Sequence, residues 1–443
     1  MKRWLLWLLL PACGPIPPEA TSIDAVLAPP REHGLTLGNW NIEWFGASDR
    51  GPDDEALQLE NAARVIGGAG VDLWVVAEIS SPSAFEGLLR ALPDRAGLLS
   101  SDAEVTDGAR HYRGDDQRVG LIYDPRKVEI SSARLILTDR IHDFAGRPPL
   151  LAEVRLQLAE GNLDLTVIAV HLKAFGDEAS KQRRERAAEA LASFLATLPP
   201  GKAALVAGDW NDGLERSTAG GDSPFAGLVA SEDLHFWTAE LAASGAVSYA
   251  GGREFLDHQL ANPALDLVLV PDSTRLLEVD LLVADFPETT SDHFPVISRI
   301  DLHRAITMNE ILANEPGRDR SREMVELHNT SCAVVRLEGL NVGGEDQTIR
   351  LGGRTLGPGA AIAVRSPRGL GLGNTGGRVV LEDVDGERLE EVSYPASLAA
   401  LDGVSMNRHP DGARGSTWRL HHELGNADSS PGRRADGSDF GCP

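Results

Sequence analysis

Six short segments of the chain place Asn, Asp, Glu or His beside apolar runs. GNWNIEW holds Asn41, VVAEIS holds Glu78 and AVHLKAF holds His171. GDWND holds Asp209 and Asn211, FLDHQLANPAL holds Asp257, and SDHFP holds Asp292 and His293. A carboxylate at the edge of an apolar strand, as Glu78 is after LWVVA, needs a partner or a metal ion to offset its desolvation. Carboxylate and amide oxygens are ligands for hard divalent cations, and imidazoles move protons near neutral pH. Each segment alone has a plain structural alternative: Asn41 can cap a turn and Asp209 can form an Asx-turn. The repetition of these group types across six segments points instead to one assembled site. No Cys/His cluster has zinc-motif spacing, so structural zinc is not expected. His33, His142, His235, His303, His328 and His409 lie outside these segments and read as ordinary histidines. His258 follows Asp257 on the same strand pattern and should face away from it.

The elements that carry these groups are legible from periodicity. LTLGNWNIEWF, VDLWVVAEI, RVGLIYD, ARLILT, LLAEVRLQL, LDLTVIAVHL and AALVAGDW read as strands, as do LDLVLV and the segment after SDHFP. LQLENAARVIGG reads as an amphipathic helix. SKQRRERAAEALASFLATL is the clearest helix, with Ala187, Leu191, Phe194, Leu195 and Leu198 on one face. Strands interspersed with helices predict two sheets packed face to face, with the helices outside. From Ile306 onward short strands separated by Gly, Pro, Asn and Asp predict an all-β sandwich with no convincing helix.

The order and wording of the six segments resemble the deoxyribonuclease-I-like endonuclease/exonuclease/phosphatase superfamily over about residues 35–303. The resemblance rests above all on GDWND, SDHFP and FLDHQLANPAL. It implies an α+β, four-layer α-β-β-α sandwich with its site at one end of the paired sheets, and metal-dependent phosphodiester hydrolysis. On that reading Asn41, Glu78 and Asp292 are the metal ligands. Mg²⁺ or Mn²⁺ fits such an oxygen-rich open site, with Ca²⁺ a further option. His293 is the expected general base, oriented by Asp257 as in a hydrolytic triad. His171 is the expected general acid or phosphate donor, and Asn211 donates to a phosphoryl oxygen. Asp209 orients water or serves as the base itself. Arg183 and Arg184, in KQRRER after His171, and Arg118, at the start of RVGLIYD, are candidate phosphate contacts; a solvated helix face is the plain alternative for the first two.

Residues 306–432 resemble a lamin-tail domain, an immunoglobulin-like β-sandwich, on MNEILAN, EMVELHNTS, LEGLNV, LGPGAAIAV, SYP and MNRHPDG…STWRLH. That resemblance implies a binding or positioning module, followed by a C-terminal tail over 433–443. Glu310 and Glu326 receive no chemical role there.

The chain begins MKRWLLWLLLPAC. A basic start and a short apolar stretch read as a leader over residues 1–12, too short to span a bilayer. LPAC resembles a bacterial lipobox with Cys13 as the lipidated residue, although Pro11 departs from the usual small or aliphatic residue. Residues 13–34, rich in Pro, then form a tether. The expected location is outside the cytoplasm, lipid-anchored to a bacterial membrane. That leaves Cys332 and Cys442, which an oxidising compartment would pair.

The 443 residues favour two domains, and the formal net charge of -24 repels nucleic acid at long range. A bound cation inverts that field locally, so a nuclease is not excluded. The expected function is an exported nuclease acting on nucleic acid. A phospholipid or inositol-phosphate phosphodiesterase with the same chemistry is the alternative, and an inactive surface-binding scaffold is a third.

Overall fold

The structure is a computed structural model that describes residues 33–252, 254–277, 279, 283–317, 322–344 and 347–442. The expected leader, nearly all of the expected tether and the lipidation candidate Cys13 lie outside the described residues.

The chain opens with β1 (Leu35–Phe45), α1 (Glu55–Gly68), β2 (Leu73–Ile79), α2 (Pro82–Ala91), β3 (Ala96–Leu99), β4 (Val105–Thr106) and β5 (Arg118–Tyr123). Next come β6 (Val128–Leu135), β7 (Leu150–Leu158), β8 (Gly161–His171), α3 (Glu178–Leu195) and β9 (Ala203–Asp209). Short strands β10 (His235–Phe236), β11 (Asp257–Ala261) and β12 (Arg275–Leu276) precede β13 (Val296–Ile300). One sheet has the order β12-β13-β1-β2-β5-β3, and the other runs β10-β11-β9-β8-β7-β6-β4.

Side-chain alternation along each strand creates the layers. Leu37, Val75 and Leu121 face Val154, Val167 and Leu205 across the gap between the sheets. On the outer face of the first sheet, Trp74 and Val76 pack against Val65 and Ile66 of α1 and Phe85 and Leu88 of α2. On the outer face of the second, Ile168, Val170 and Val206 receive Ala187, Leu191 and Leu195 of α3. Three apolar interfaces therefore separate four layers, as the resemblance implies. The helices start where side chains cap them: Asp54 accepts from Leu57 N at 3.0 Å, and Asp177 accepts from Ser180 N at 3.0 Å.

Two local expectations fail for identifiable reasons. LDLVLV is not a strand; Pro263–Asp266 form a helical turn. Asn262 caps that turn by accepting from Leu265 N, and Pro263 sits at its first position, where its missing N–H costs nothing. The helix α3 ends at Leu195, so Leu198 lies beyond it, and Arg184 joins its buried face.

The remainder contributes β14 (Ile306–Leu312), β15 (Met324–Asn329), β16 (Val335–Arg336), β17 (Leu340–Gly343), β18 (Thr348–Leu351) and β19 (Thr355–Leu356). After these come β20 (Ala361–Val364), β21 (Gly376–Glu382), β22 (Arg388–Pro395), β23 (Met406–His409) and β24 (Thr417–Leu420). They build a β20-β15-β14-β23-β24 sheet and a β18-β17-β21-β22 sheet. The two halves share structure: β16 pairs with β8 at Val335 and Gly161, and one apolar cluster runs from the gap between the first two sheets into this β-rich unit. Cys332 and Cys442 are disulfide-bonded, with Cα atoms 5.2 Å apart. Residues 433–442 are mostly exposed but are tied down at a few points. Ala435 N donates to Asp411 at 3.2 Å, and Phe440 stacks on His328.

Candidate active site

Strand register assembles three residues of the site in one row. Asp257 on β11 lies opposite Asp209 on β9, and Asp209 lies opposite His171 on β8. All three are buried at the same end of the sheet. The row needs Gly208 beside it. Its φ is +140°, and a β-carbon there would lie 2.0 Å from Val170 O. The facing sheet supplies Asn41 and Glu78 from the ends of the parallel pair β1 and β2, where the register of both strands breaks. Asp292 and His293 arrive on the loop before β13. Trp40 Nε1 holds that loop by donating to His293 O at 2.8 Å, and Ser291 Oγ does so by donating to Asn41 O at 2.7 Å.

Asp209 is the hub. Its carboxylate accepts from Asn41 Nδ2 at 2.9 Å, Asn211 Nδ2 at 3.0 Å and Asn211 N at 2.8 Å. His171 Nε2 lies 3.5 Å from Asp209 and 3.6 Å from Glu78. His293 Nε2 lies 3.9 Å from both Asp209 and Asp292. On its other side, His293 Nδ1 donates to Asp257 Oδ2 at 2.7 Å, and Ser248 Oγ donates to the same oxygen at 2.8 Å. Glu78 accepts from Asn41 Nδ2 and from Trp44 N, each at 3.0 Å. All eight residues that the sequence singled out for the catalytic and metal roles therefore meet. His258 points the opposite way from Asp257, as expected, and bonds to Thr238 Oγ1 and Asp212 O.

The electrostatics separate the two imidazoles. Burial pulls the His293 pKa down, but the charges of Asp257 and Asp209, the Asp257 hydrogen bond and Asp292 together carry it well above the usual histidine value. Burial, reinforced by Arg147 and by His293, pushes His171 well below it. Burial raises Asp209 to about 7 against the pull of His293, with Asp257 adding to the rise. Burial and the neighbouring Asp292 raise Glu43 to about 7. Carboxylates crowded this closely, with amide oxygen beside them, form a hard donor set that a divalent cation would neutralise. Asn41, Glu78 and Asp292 can hold it, and Glu78, His171 and Asp209 also converge closely enough to share an ion.

The three arginines do not meet the expectation equally. Arg184 is fully buried, not a phosphate contact. Its guanidinium grips Asp212 at 2.7 and 2.8 Å and donates to Lys173 O at 2.6 Å and Phe175 O at 2.9 Å. Arg118 is likewise buried and donates to Ser80 O, Asp116 O and Gly114 O. A charge at a helix start or strand start reads as solvated in the sequence, whereas here each one satisfies loop carbonyls. Arg183 is half-buried and donates to His142 O.

Four further residues belong to the site. Glu43 accepts from Asp292 N at 3.0 Å, and Tyr249 sets its ring 4.9 Å from that of His293. Arg147 donates to Leu172 O at 2.7 Å and brings a buried positive charge toward Glu78 and Asp209. Phe175 stands 72% exposed at the rim, with Lys173 Nζ 4.0 Å from its ring centre. Glu43 lies two positions after Asn41 and Phe175 four after His171, so both fell inside segments already singled out. Tyr249 and Arg147 carried no such signal. Glu43, Tyr249 and Phe175 line an open pocket of about 360 Å³ with Glu78, Asp209, Asn211, Asp292 and His293. Glu43, Trp44, Glu78, Phe175 and Asn211 around it all have positive φ, between 37° and 81°. Such backbone costs about 1–3 kcal/mol per residue and collects at functional sites.

A profile of the Endonuclease/Exonuclease/phosphatase family matches residues 38–293, from β1 to His293. The chain belongs to this family. The matched span takes in every one of the eight convergent residues of this family member. Among solved structures, the chain is similar to D. rerio TDP2 in complex with a single-strand DNA product (14% identity, 60% of this chain and 98% of that chain, TM-score 0.44). It is also similar to an endonuclease/exonuclease/phosphatase from Beutenbergia cavernae DSM 12333 (16% identity, 82% and 100%, TM-score 0.44). The human Nocturnin catalytic domain shares 15% identity over 61% of this chain and 93% of that chain, with a TM-score of 0.42. No curated protein sequence matches the chain.

Proposed function

We propose that this family member is an exported, metal-dependent phosphodiesterase that cleaves nucleic acid. The observation that carries the chemistry is the convergence of Asn41, Glu78, His171, Asp209, Asn211, Asp257, Asp292 and His293 on one pocket. Asn41, Glu78 and Asp292 would hold Mg²⁺ or Mn²⁺, which neutralises charge building on the phosphoryl oxygens. Asn211 is placed to donate to a phosphoryl oxygen without adding charge. His293 Nδ1 donates to Asp257, which turns its Nε2 toward Asp209 and Asp292. We assign proton transfer from the attacking water to the Asp209–His293 pair. His171, neutral and deeply buried, orients Asp209 and Glu78 rather than serving the leaving group.

Phe175 supports a nucleic-acid substrate. An exposed ring beside a lysine at the mouth of a phosphate-cleaving pocket is a base-stacking platform. The Cys332–Cys442 disulfide supports an oxidising compartment, and hence export. The β-rich unit after Ile306 contributes none of the eight site residues; we assign it, with its lamin-tail resemblance, a positioning role.

The deciding experiment is a substrate panel of plasmid DNA, single-stranded DNA, RNA, sphingomyelin and inositol phosphates, with Mg²⁺, Mn²⁺ or Ca²⁺ and with chelator. Chelator-sensitive cleavage of DNA or RNA, lost in Asp209→Asn, is expected. Chelator-insensitive turnover would overturn the metal assignment, and turnover confined to lipid or inositol phosphate would overturn the substrate assignment.

A further inference from the structure

We propose that His33, Glu160 and His303 form a Zn²⁺ site that ties the start of β1 and the turn before β8 to the segment leading into β14. Their ligand atoms all lie within 4.8 Å of one another, at the opposite end of β8 from the catalytic pocket. Positions 33, 160 and 303 share no sequence spacing, which hides the cluster from any search for a zinc motif.

The hydrogen bonds leave lone pairs aimed into the cluster. His303 Nε2 lies 2.8 Å from Arg336 O. A carbonyl only accepts, so Nε2 carries the proton and the neutral ring presents Nδ1 as a bare lone pair. That Nδ1 is buried and has no hydrogen-bond partner among the described residues. An imidazole that donates one N–H to a backbone carbonyl and offers its other nitrogen is the usual arrangement of a metal-binding histidine. Glu160 accepts from His33 Nδ1 at 3.0 Å and Gly34 N at 3.2 Å through Oε1 only. Its Oε2 is buried and likewise has no hydrogen-bond partner among the described residues. Two inward-facing acceptors without donors suit a cation better than they suit each other.

Two imidazoles and a carboxylate select Zn²⁺ over Mg²⁺ or Ca²⁺ and leave a fourth position for water. At zinc–ligand distances of about 2.0–2.2 Å, tetrahedral ligands sit about 3.3–3.6 Å apart. Binding would draw the three ligand atoms together to that size, with His33 as the partly exposed member. A second buried carboxylate, Asp301, accepts from His303 N at 2.9 Å and adds negative charge to the same corner. Gly339 of the β-rich unit covers the pair: a β-carbon there would lie 3.7 Å from His33 Cε1 and 3.9 Å from His303 Cε1. Zinc here would join the two halves of the molecule where they meet.

The test uses the full chain stripped of metal and titrated with Zn²⁺ calorimetrically in excess Mg²⁺, with Co²⁺ absorbance as a second probe. Wild type should bind one more tight equivalent of Zn²⁺ than His33→Asn, Glu160→Gln or His303→Asn, each of which should weaken that equivalent at least about tenfold. Zn²⁺ should raise the melting temperature of wild type and not of His33→Asn, while Mg²⁺-supported turnover stays unchanged in both. His33 lies at the edge, so His33→Asn remains decisive if a buried variant fails to fold. Equal Zn²⁺ stoichiometry and affinity in wild type and His33→Asn would overturn the proposal.

Discussion

Replacing Arg184 with methionine separates a structural arginine from a substrate-binding one. The methionine keeps much of the buried stem but leaves the Asp212 carboxylate without its counter-charge. Asp212 would still accept from Ser217 Oγ at 2.9 Å and from Thr218 N at 2.6 Å, so the loss is mainly the uncompensated charge. Removing one partner of a buried ion pair costs about 3–5 kcal/mol. At about 2–4 °C per kcal/mol for a domain of this size, the melting temperature should fall by about 6–20 °C. The carbonyls of Lys173 and Phe175 lose their donor at the same time, so the rim loop loosens and KM rises as well. Adding Asp212→Asn removes the stranded charge and should recover part of the stability without restoring KM. Differential scanning calorimetry and steady-state kinetics on wild type and the two variants read both effects. A single variant with wild-type melting temperature, raised KM and a weaker salt dependence would refute this reasoning and return Arg184 to the substrate.

Phe175→Ala should leave melting unchanged and raise KM for single-stranded nucleic acid by about fivefold to a hundredfold, the value of one lost base stack; unchanged KM in steady-state assays would remove the stacking role. Cys332→Ser with Cys442→Ser opens a bridge between residues 110 apart in sequence. It should destabilise the β-rich unit by up to about 4–5 kcal/mol while catalysis at 25 °C persists, as chemical denaturation with a parallel activity assay would show. Burial, with Glu310 and Asp411 nearby, raises Glu326 in that unit to about 7 from an ordinary value of 4.5. The folded state therefore holds this proton more tightly than the unfolded chain. The contribution is complete below pH 4.5 and is lost as pH rises through about 7. It amounts to at most about 3 kcal/mol. Stability measured across that window should fall in wild type and stay flatter in Glu326→Gln; parallel curves would exclude Glu326 as the cause.

The convergent residues were legible because polar groups closing apolar strands stand out, and because Asn41, Glu78, His171 and Asp209 all lie toward strand ends on one side of the fold. What was not legible depended on partners remote in sequence. Arg184 looks solvated on a helix wheel, and only the loop around Asp212 explains its burial. LDLVLV has the composition of a strand, and the Asn262 cap with Pro263 outweighs it. The opposite pKa directions of His293 and His171 depend on the charges that surround each ring, a three-dimensional arrangement that a motif does not carry. Tyr249 and Ser248 were invisible because they support His293 and Asp257 from a loop without periodicity.

The pairing of Val335 with Gly161 has a consequence for how the molecule presents itself. β8 runs from Gly161 to His171, about 33 Å at 3.3 Å per residue. The β-rich unit and residue 33 therefore occupy one pole of the sandwich, and the catalytic pocket opens at the other. A molecule held by its N-terminus would aim its pocket outward, like a lamp on a post. On such an anchor a dissolved polymer would meet that pocket directly, whereas a head group in the supporting surface would be reached only when the whole molecule turned over.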